Sequence, residues 1–317
     1  LTLDLSVRIG SLTLKNPLIA ASGCFGYGLE YSDTIDIATL GAVCSKGLFL
    51  TEREGHPPPR IVETPAGMIN AIGLQGIGVH RFVKERLPEL RARRAVTIVN
   101  VCGTTLDEYA EVSRILSDHE GVDAIELNIS CPNIKEGGIQ FGCSLDGTHD
   151  VVQAVRRVTK LPIIPKLTPN VTSVSSFARA AAEAGADAVS LVNTFLALAI
   201  DVETRRAKIS NVLGGLSGPA IRPIAVRMVH ECRQVVKIPI IGMGGIMNAS
   251  DALEFTIAGA AAVQIGTANF IDPFVWDKIL DGIRDYMTRH QIARFSDLTG
   301  TLDTTPARKP EPAWTHS

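Results

Sequence analysis

The sequence predicts an α/β fold, a closed (β/α)8 TIM barrel of eight parallel strands, with an N-terminal hairpin and inserted loops at the C-terminal face. Three observations carry that expectation. First, eight short apolar or β-branched runs alternate with amphipathic stretches, at residues 18–22, 42–46, 96–100, 124–128, 163–167, 188–192, 239–242 and 262–266. Such alternation marks βα units around a parallel sheet, and eight is the number at which the sheet closes. Second, one joint recurs four times, at Gly41, Gly121, Gly185 and Gly259, each passing from a helix end straight into a strand. Glycine suits that position because it takes the left-handed conformation cheaply. Third, nearly every run ends in a hydrogen-bonding residue or a glycine.

Taken in order, residues 5–14 alternate apolar and polar around Ile9-Gly10-Ser11, which predicts a short hairpin across the barrel floor. The first run ends at Ser22-Gly23 and the second at Ser45-Lys46-Gly47. Residues 48–95 are too long for a plain βα connection and predict a lid or an inserted hairpin. The third to sixth runs end at Asn100, Asn128, Lys166 and Val192-Asn193-Thr194, the seventh in Gly242-Met-Gly-Gly245, and the eighth in Gly266-Thr267. Strand C-termini form the active face of such a barrel, so one rim collects these groups. The irregular spacing fits a barrel with insertions, a single domain over residues 1–302. Residues 303–317, with three prolines and no periodicity, are expected to be an extended or disordered tail.

Composition narrows the function. The 317 residues are 45% hydrophobic and 20% charged, enough apolar material for a large core. Thirty-one Lys and Arg against 33 Asp and Glu give a net charge of -2, so no global basic field exists to hold nucleic acid or an acidic membrane surface. The 17 residues between Glu254 and Asp272 are uncharged but include Gln264 and Asn269, too short and too polar for a span of about 20 residues. No secretory signal is visible at the start, and a cytoplasmic protein is the expectation. Six cysteines are too sparse for a disulfide scaffold and lack zinc-ligand spacing, so reduced thiols are expected.

The rim residues predict a ligand. The glycine turns at Gly244-Gly245 and Gly266-Thr267 end neighbouring strands, where bare backbone N–H groups cradle a phosphate, the lesser alternative for either turn alone being a mere turn former. Gly215-Leu-Ser-Gly218-Pro219 adds a third permissive turn ahead of a helix. Lys46 and Lys166 sit inside apolar runs, where a lysine needs an anion or an electron-rich ring as partner, the alternative being stems that snorkel to the surface. Asn70, Asn128, Asn133 and Asn193 each offer an acceptor beside a donor; singly each reads first as a turn residue or cap, but together they match the edge of a pyrimidine or flavin ring. Asn128-Ile-Ser-Cys-Pro-Asn133 leaves the fourth strand in a proline- and glycine-containing loop, which would hold Cys131 over the site as a base.

These motifs resemble, in order and in register, those of the dihydroorotate dehydrogenases, specifically the NAD-linked class 1B catalytic subunit. The likeness runs from residue 5 to residue 302 and includes Ala21-Ser-Gly23, Ser45-Lys-Gly47, the segment 63–75, Asn128-Ile-Ser-Cys-Pro-Asn133, Pro165-Lys-Leu-Thr-Pro-Asn-Val171 and Gly242-Met-Gly-Gly-Ile246. The resemblance implies FMN in the barrel mouth, its phosphate on Gly244, Gly245, Gly266 and Thr267, and its envelope completed by Ser22, Ser45, Lys46, Gly47, Asn100, Asn128, Lys166, Val192 and Gly218. Lys166 would lie near flavin N1, where reduction gathers negative charge. Dihydroorotate would meet Lys46, Asn70, Ala71, Ile72, Gly73, Leu74, Asn128, Asn133, Asn193 and Thr194. Cys131 would take the C5 proton while hydride passes from C6 to FMN.

The chain has no strand-linked GxGxxG and no iron-sulfur cysteine grouping. The resemblance therefore implies an electron-transfer subunit bearing FAD and a 2Fe-2S cluster that reduces NAD, in a heterotetramer around a homodimer of this chain. Rival readings are the fumarate-using class 1A enzyme, a dihydropyrimidine-dehydrogenase-like module, and a cofactor-free phosphate-binding lyase with Lys166 as Schiff base. Phe195-Leu-Ala-Leu198 departs from the family's smaller, more glycine-containing stretch.

Overall fold

A computed structural model describes residues 2–130 and 141–305. Eight parallel strands close into a barrel in chain order: β1 Leu18–Ala20, β2 Ala42–Cys44, β3 Thr97–Val101, β4 Ala124–Asn128, β5 Ile163–Lys166, β6 Val189–Leu191, β7 Ile240–Met243 and β8 Ala262–Ile265, with β8 returning to β1. All eight expected runs are strands, several trimmed at their ends. They are buried almost throughout, β3 at all five positions, as a parallel sheet covered on both faces requires.

The outer helices present apolar faces to this cylinder. In α1, Leu106–Ser117, the buried Tyr109, Val112, Ile115 and Leu116 recur at helical spacing, and Thr105 caps the helix by accepting from the Glu108 N–H at 3.1 Å. Capping costs about 1 kcal/mol to lose. Buried apolar faces recur in α2, Leu145–Arg156, α3, Val174–Glu183, α4, Arg222–Arg233, α5, Ala249–Ala258, and α6, Val275–Arg289, with side-chain caps at Ser144 of α2 and Asn248 of α5.

The expected floor hairpin pairs Val7–Ile9 with Leu12–Leu14. Its turn residue Gly10 has φ 60°, and a Cβ there would lie 2.8 Å from the Cβ of Asp187, just ahead of β6. The hairpin therefore sits at the N-terminal ends of the strands, with Ile9 and Leu14 fully buried.

The insertion after β2 does carry a hairpin, Ile61–Thr64 with Gly67–Asn70, followed by two short helices, Val79–Glu85 and Leu87–Ala92. The connection after β6 supplies two further strands, Phe195–Leu198 and Leu213–Ser217. The four join in one antiparallel accessory sheet through pairs such as Asn70 with Gly215. The apolar run 195–198, unexpected from the family pattern, is thus an edge strand with Leu196 and Leu198 facing out. Of the proposed tail, residues 303–305 are exposed and 306–317 lie outside the described residues.

Candidate functional site

A pocket opens at the C-terminal ends of the strands. Its walls include Ser22 after β1, Lys166 ending β5, Val192, Asn193 and Thr194 after β6, Gly244 and Gly245 after β7, and Gly266 and Thr267 after β8. Ser217 and Gly218, leaving the accessory sheet, complete the rim. Ten residues expected at the cofactor or substrate site therefore meet here: Ser22, Lys166, Val192, Asn193, Thr194, Gly218, Gly244, Gly245, Gly266 and Thr267. A separate hollow lined by Val83, Leu87, Arg91, Asp118, His119 and Glu120 lies between outer helices and holds none of them.

The glycine turns are built for close backbone approach. Gly245 has φ 79°, and a Cβ on it would fall 2.7 Å from the Gly218 carbonyl oxygen. Gly218 has φ 98°, and its own Cβ would fall 2.6 Å from the Cα of Gly67. Only residues without side chains let these three backbones touch. The loop after β7 is braced from behind, because Asp251 accepts from the Met247 N–H at 2.8 Å and is ion-paired with Arg222 of α4. Thr267 Oγ1 donates to Ser217 Oγ at 2.9 Å, tying the β8 turn to the accessory sheet.

Beneath the pocket lies a carboxylate that sequence reasoning missed. Glu126 of β4 is fully buried inside the barrel. Its Oε1 accepts from Asn100 Nδ2 at 2.7 Å and Cys44 Sγ at 3.3 Å, and lies 3.7 Å from Lys166 Nζ. Its Oε2 accepts from Gln264 Nε2 at 2.6 Å and Ser190 Oγ at 2.9 Å. Burial alone would push this carboxyl up, but Lys166 and the bonds from Gln264, Ser190 and Asn100 outweigh it and hold Glu126 below the usual carboxylate range. The anion expected beside Lys166 is thus first a protein group. The only sequence signal was a charge inside an apolar run.

Of the remaining expected residues, Asn128, Asn100, Ser45 and Asn70 connect to the pocket walls through hydrogen bonds and packing, whereas Lys46, Gly47 and residues 71–74 lie outside its lining. Asn193 Nδ2 donates to Asn128 Oδ1 at 3.3 Å, and Asn128 Nδ2 to Asn100 Oδ1 at 3.5 Å. Ser45 Oγ accepts from the Asn100 N–H at 3.2 Å, and a Cβ on Gly47 would meet Asn100 Oδ1 at 3.0 Å. Asn70 donates to the Gly215 carbonyl at 3.3 Å, and Gly215 packs on the side chain of Thr194. The loop through Ala71, Ile72, Gly73 and Leu74 folds against His56, which bonds the carbonyls of Ala71 and Ile72. Lys46 is half-buried, with its ammonium pushed down first by burial and next by Arg60. Among the described residues it makes no ion pair. Cys131 and Asn133 lie outside the described residues. The chain reaches the rim at Ser130, whose Oγ donates to the Lys166 carbonyl at 2.8 Å.

The donor set suits a phosphorylated flavin. Glycine turns at β7 and β8 offer N–H groups for a phosphate. Deeper in, Gln264 turns its Nε2 to Glu126 and leaves Oε1, buried and without a partner among the described residues, as an acceptor for a ring N–H. Lys166 supplies a cation beside it.

Comparison with known proteins gives consistent findings. The family model described as dihydroorotate dehydrogenase matches residues 4–287. The chain is 54% identical over 297 residues to the dihydroorotate dehydrogenase B (NAD(+)) catalytic subunit of Porphyromonas gingivalis, covering 93% of this chain and 97% of that protein. It is 52% identical over 300 residues to the protein of the same name from Bacteroides thetaiotaomicron, covering 95% and 99%. For the one from Geotalea uraniireducens, identity is 50% over 301 residues.

Proposed function

The chain belongs to the dihydroorotate dehydrogenase family, and from that membership we propose that it oxidises dihydroorotate to orotate in pyrimidine biosynthesis, as the FMN-bearing catalytic subunit of an NAD-linked enzyme. The observation that carries the reading is the pocket itself. Glycine turns, a buried lysine and an acceptor unpartnered among the described residues converge at the strand ends of a chain half-identical to NAD-linked catalytic subunits along nearly its full length.

When bound, FMN supplies a two-electron acceptor for hydride from substrate C6. The protein supplies everything else. Gly244, Gly245, Gly266 and Thr267 hold the phosphate, Ser22, Ser45, Gly47, Val192 and Gly218 shape the envelope, and Lys166 stabilises negative charge on the ring. Asn70, Asn128, Asn133, Asn193 and Thr194, with Lys46 and the 71–74 loop, orient dihydroorotate and hold its carboxylate. Cys131 would accept the C5 proton on the face of the substrate away from the flavin, so that proton and hydride could depart from opposite faces. A partner subunit bearing FAD and a 2Fe-2S cluster would carry the electrons on to NAD, in an assembly with two copies of this chain at its centre. The exposed Leu196, Leu198 and Leu213 of the accessory sheet, with Ile200, Val202 and Val212 in the connection between its last two strands, offer apolar surface for protein contact.

The test is anaerobic. Purified chain should be yellow and should bleach on addition of dihydroorotate, and Cys131→Ser should keep its colour while bleaching about 100-fold more slowly at neutral pH. Protein that stays colourless when FMN is added, or holds FMN and ignores dihydroorotate, overturns the proposal.

A further inference from the structure

We propose that Glu126 is a positioning residue: from below the pocket its carboxylate fixes which way Asn100, Asn128, Asn193 and Gln264 turn their amides and where Lys166 holds its charge. The inference rests on the flavin-binding reading above.

An ionised carboxylate only accepts, so the amide groups facing it, Asn100 Nδ2 and Gln264 Nε2, must be the NH₂ ends. Asn100 then has only its carbonyl to offer Asn128, Asn128 only its carbonyl to offer Asn193, and Asn193 accepts from the Thr194 backbone N–H at 2.9 Å. That last group only donates. The chain Glu126, Asn100, Asn128, Asn193, Thr194 therefore begins at an obligate acceptor and ends at an obligate donor, and both ends demand the same direction throughout. Amide orientation is usually a choice among near-equal alternatives, whereas this chain has one solution. The same carboxylate leaves Gln264 Oε1, unpartnered among the described residues, as the buried acceptor of the pocket. It also offsets the charge of Lys166, 3.7 Å away.

Glu126→Gln keeps the shape but replaces one acceptor oxygen with a donor. That NH₂ must face either Asn100 and Lys166 or Gln264 and Ser190, and one of the two amides has to turn over. Either outcome scrambles the pattern shown to a ring ligand and leaves the Lys166 cation without its counter-charge.

The experiment uses the FMN-loaded chain. Sulfite adds to bound flavin and places negative charge on the ring, so its affinity reads the local charge directly. Glu126→Gln should bind sulfite about tenfold more tightly than wild type, equivalent to ~30 mV for a two-electron couple. Orotate, read by its perturbation of the flavin spectrum, should bind about tenfold more weakly. Sulfite and orotate affinities both within twofold of wild type overturn the inference. Wild-type chain that binds no FMN overturns the functional reading instead, before any variant is made.

Should Glu126→Gln fail to fold, Lys166→Met/Glu126→Gln is measured in its place. Removing both buried charges is tolerated better than stranding one, so the double variant should recover the melting temperature the single one loses. A double variant as unstable as the single one shows that the two side chains are not coupled, and the inference falls.

Discussion

Burial separates the thiols of this protein by reactivity. Desolvation pushes Cys24 up to about 11 and Cys232 up to about 12, and Cys44, beside the Glu126 carboxylate, goes well above the ordinary thiol value. At pH 8 roughly one Cys24 in a thousand is thiolate, and only thiolate reacts with iodoacetamide. Alkylation of the folded protein at pH 8, followed by peptide mass spectrometry, should therefore leave Cys24, Cys44 and Cys232 unlabelled. Activity should fall in step with labelling of Cys131, and orotate should slow both. Inactivation tracking the exposed Cys143 instead would remove Cys131 from the proposed chemistry. Labelling of Cys24 should rise only above about pH 10, because a raised pKa postpones the thiolate. At this scale Lys166 was legible in the sequence, since a lysine inside an apolar run calls for a partner. Glu126 was not. Its meaning depends on donors from five other strands, up to 138 residues away in the chain, and no local pattern reports such a convergence.

Among the elements, the turn after β7 has no room for a Cβ at Gly245. Gly245→Ala would place a methyl group 2.7 Å from the Gly218 carbonyl oxygen and force a left-handed alanine, a strain of roughly 1–3 kcal/mol. FMN retained through gel filtration should drop sharply while the far-ultraviolet circular dichroism stays that of the barrel. Retention equal to wild type would move the phosphate site elsewhere. The barrel strands were readable because each is a short buried run between helices with regular apolar spacing, and the glycine joints mark where each begins. The accessory sheet was half readable. Its first hairpin lay in a connection too long to be plain, but its partners Phe195–Leu198 and Leu213–Ser217 fall in the β6 connection, and nothing local ties Asn70 to Gly215. Pairing between strands so far apart is decided by the barrel that carries them.

For the whole molecule, the proposed division of labour predicts what the chain does alone. Supplied with dihydroorotate and NAD, the isolated FMN-loaded chain should reduce its flavin once and then stop. Sustained NADH formation should require a second subunit carrying FAD and a 2Fe-2S cluster, and fumarate should be a poor substitute acceptor. Fast turnover with fumarate and no second subunit would favour the self-sufficient class. Net charge and composition had already set aside nucleic acid, and among the described residues no helix is long and apolar enough to cross a membrane.

The accessory sheet joins segments 145 residues apart across the barrel mouth. Long-range pairings of that kind close late, after neighbouring strands and helices have assembled. The pairing of β8 with β1 that closes the barrel is longer still, so both are slow steps; until the accessory sheet pairs, the mouth stays open and prosthetic-group loading is easiest. Protein refolded with FMN in the buffer should mature to the yellow form sooner than apoprotein given the same FMN after folding is complete.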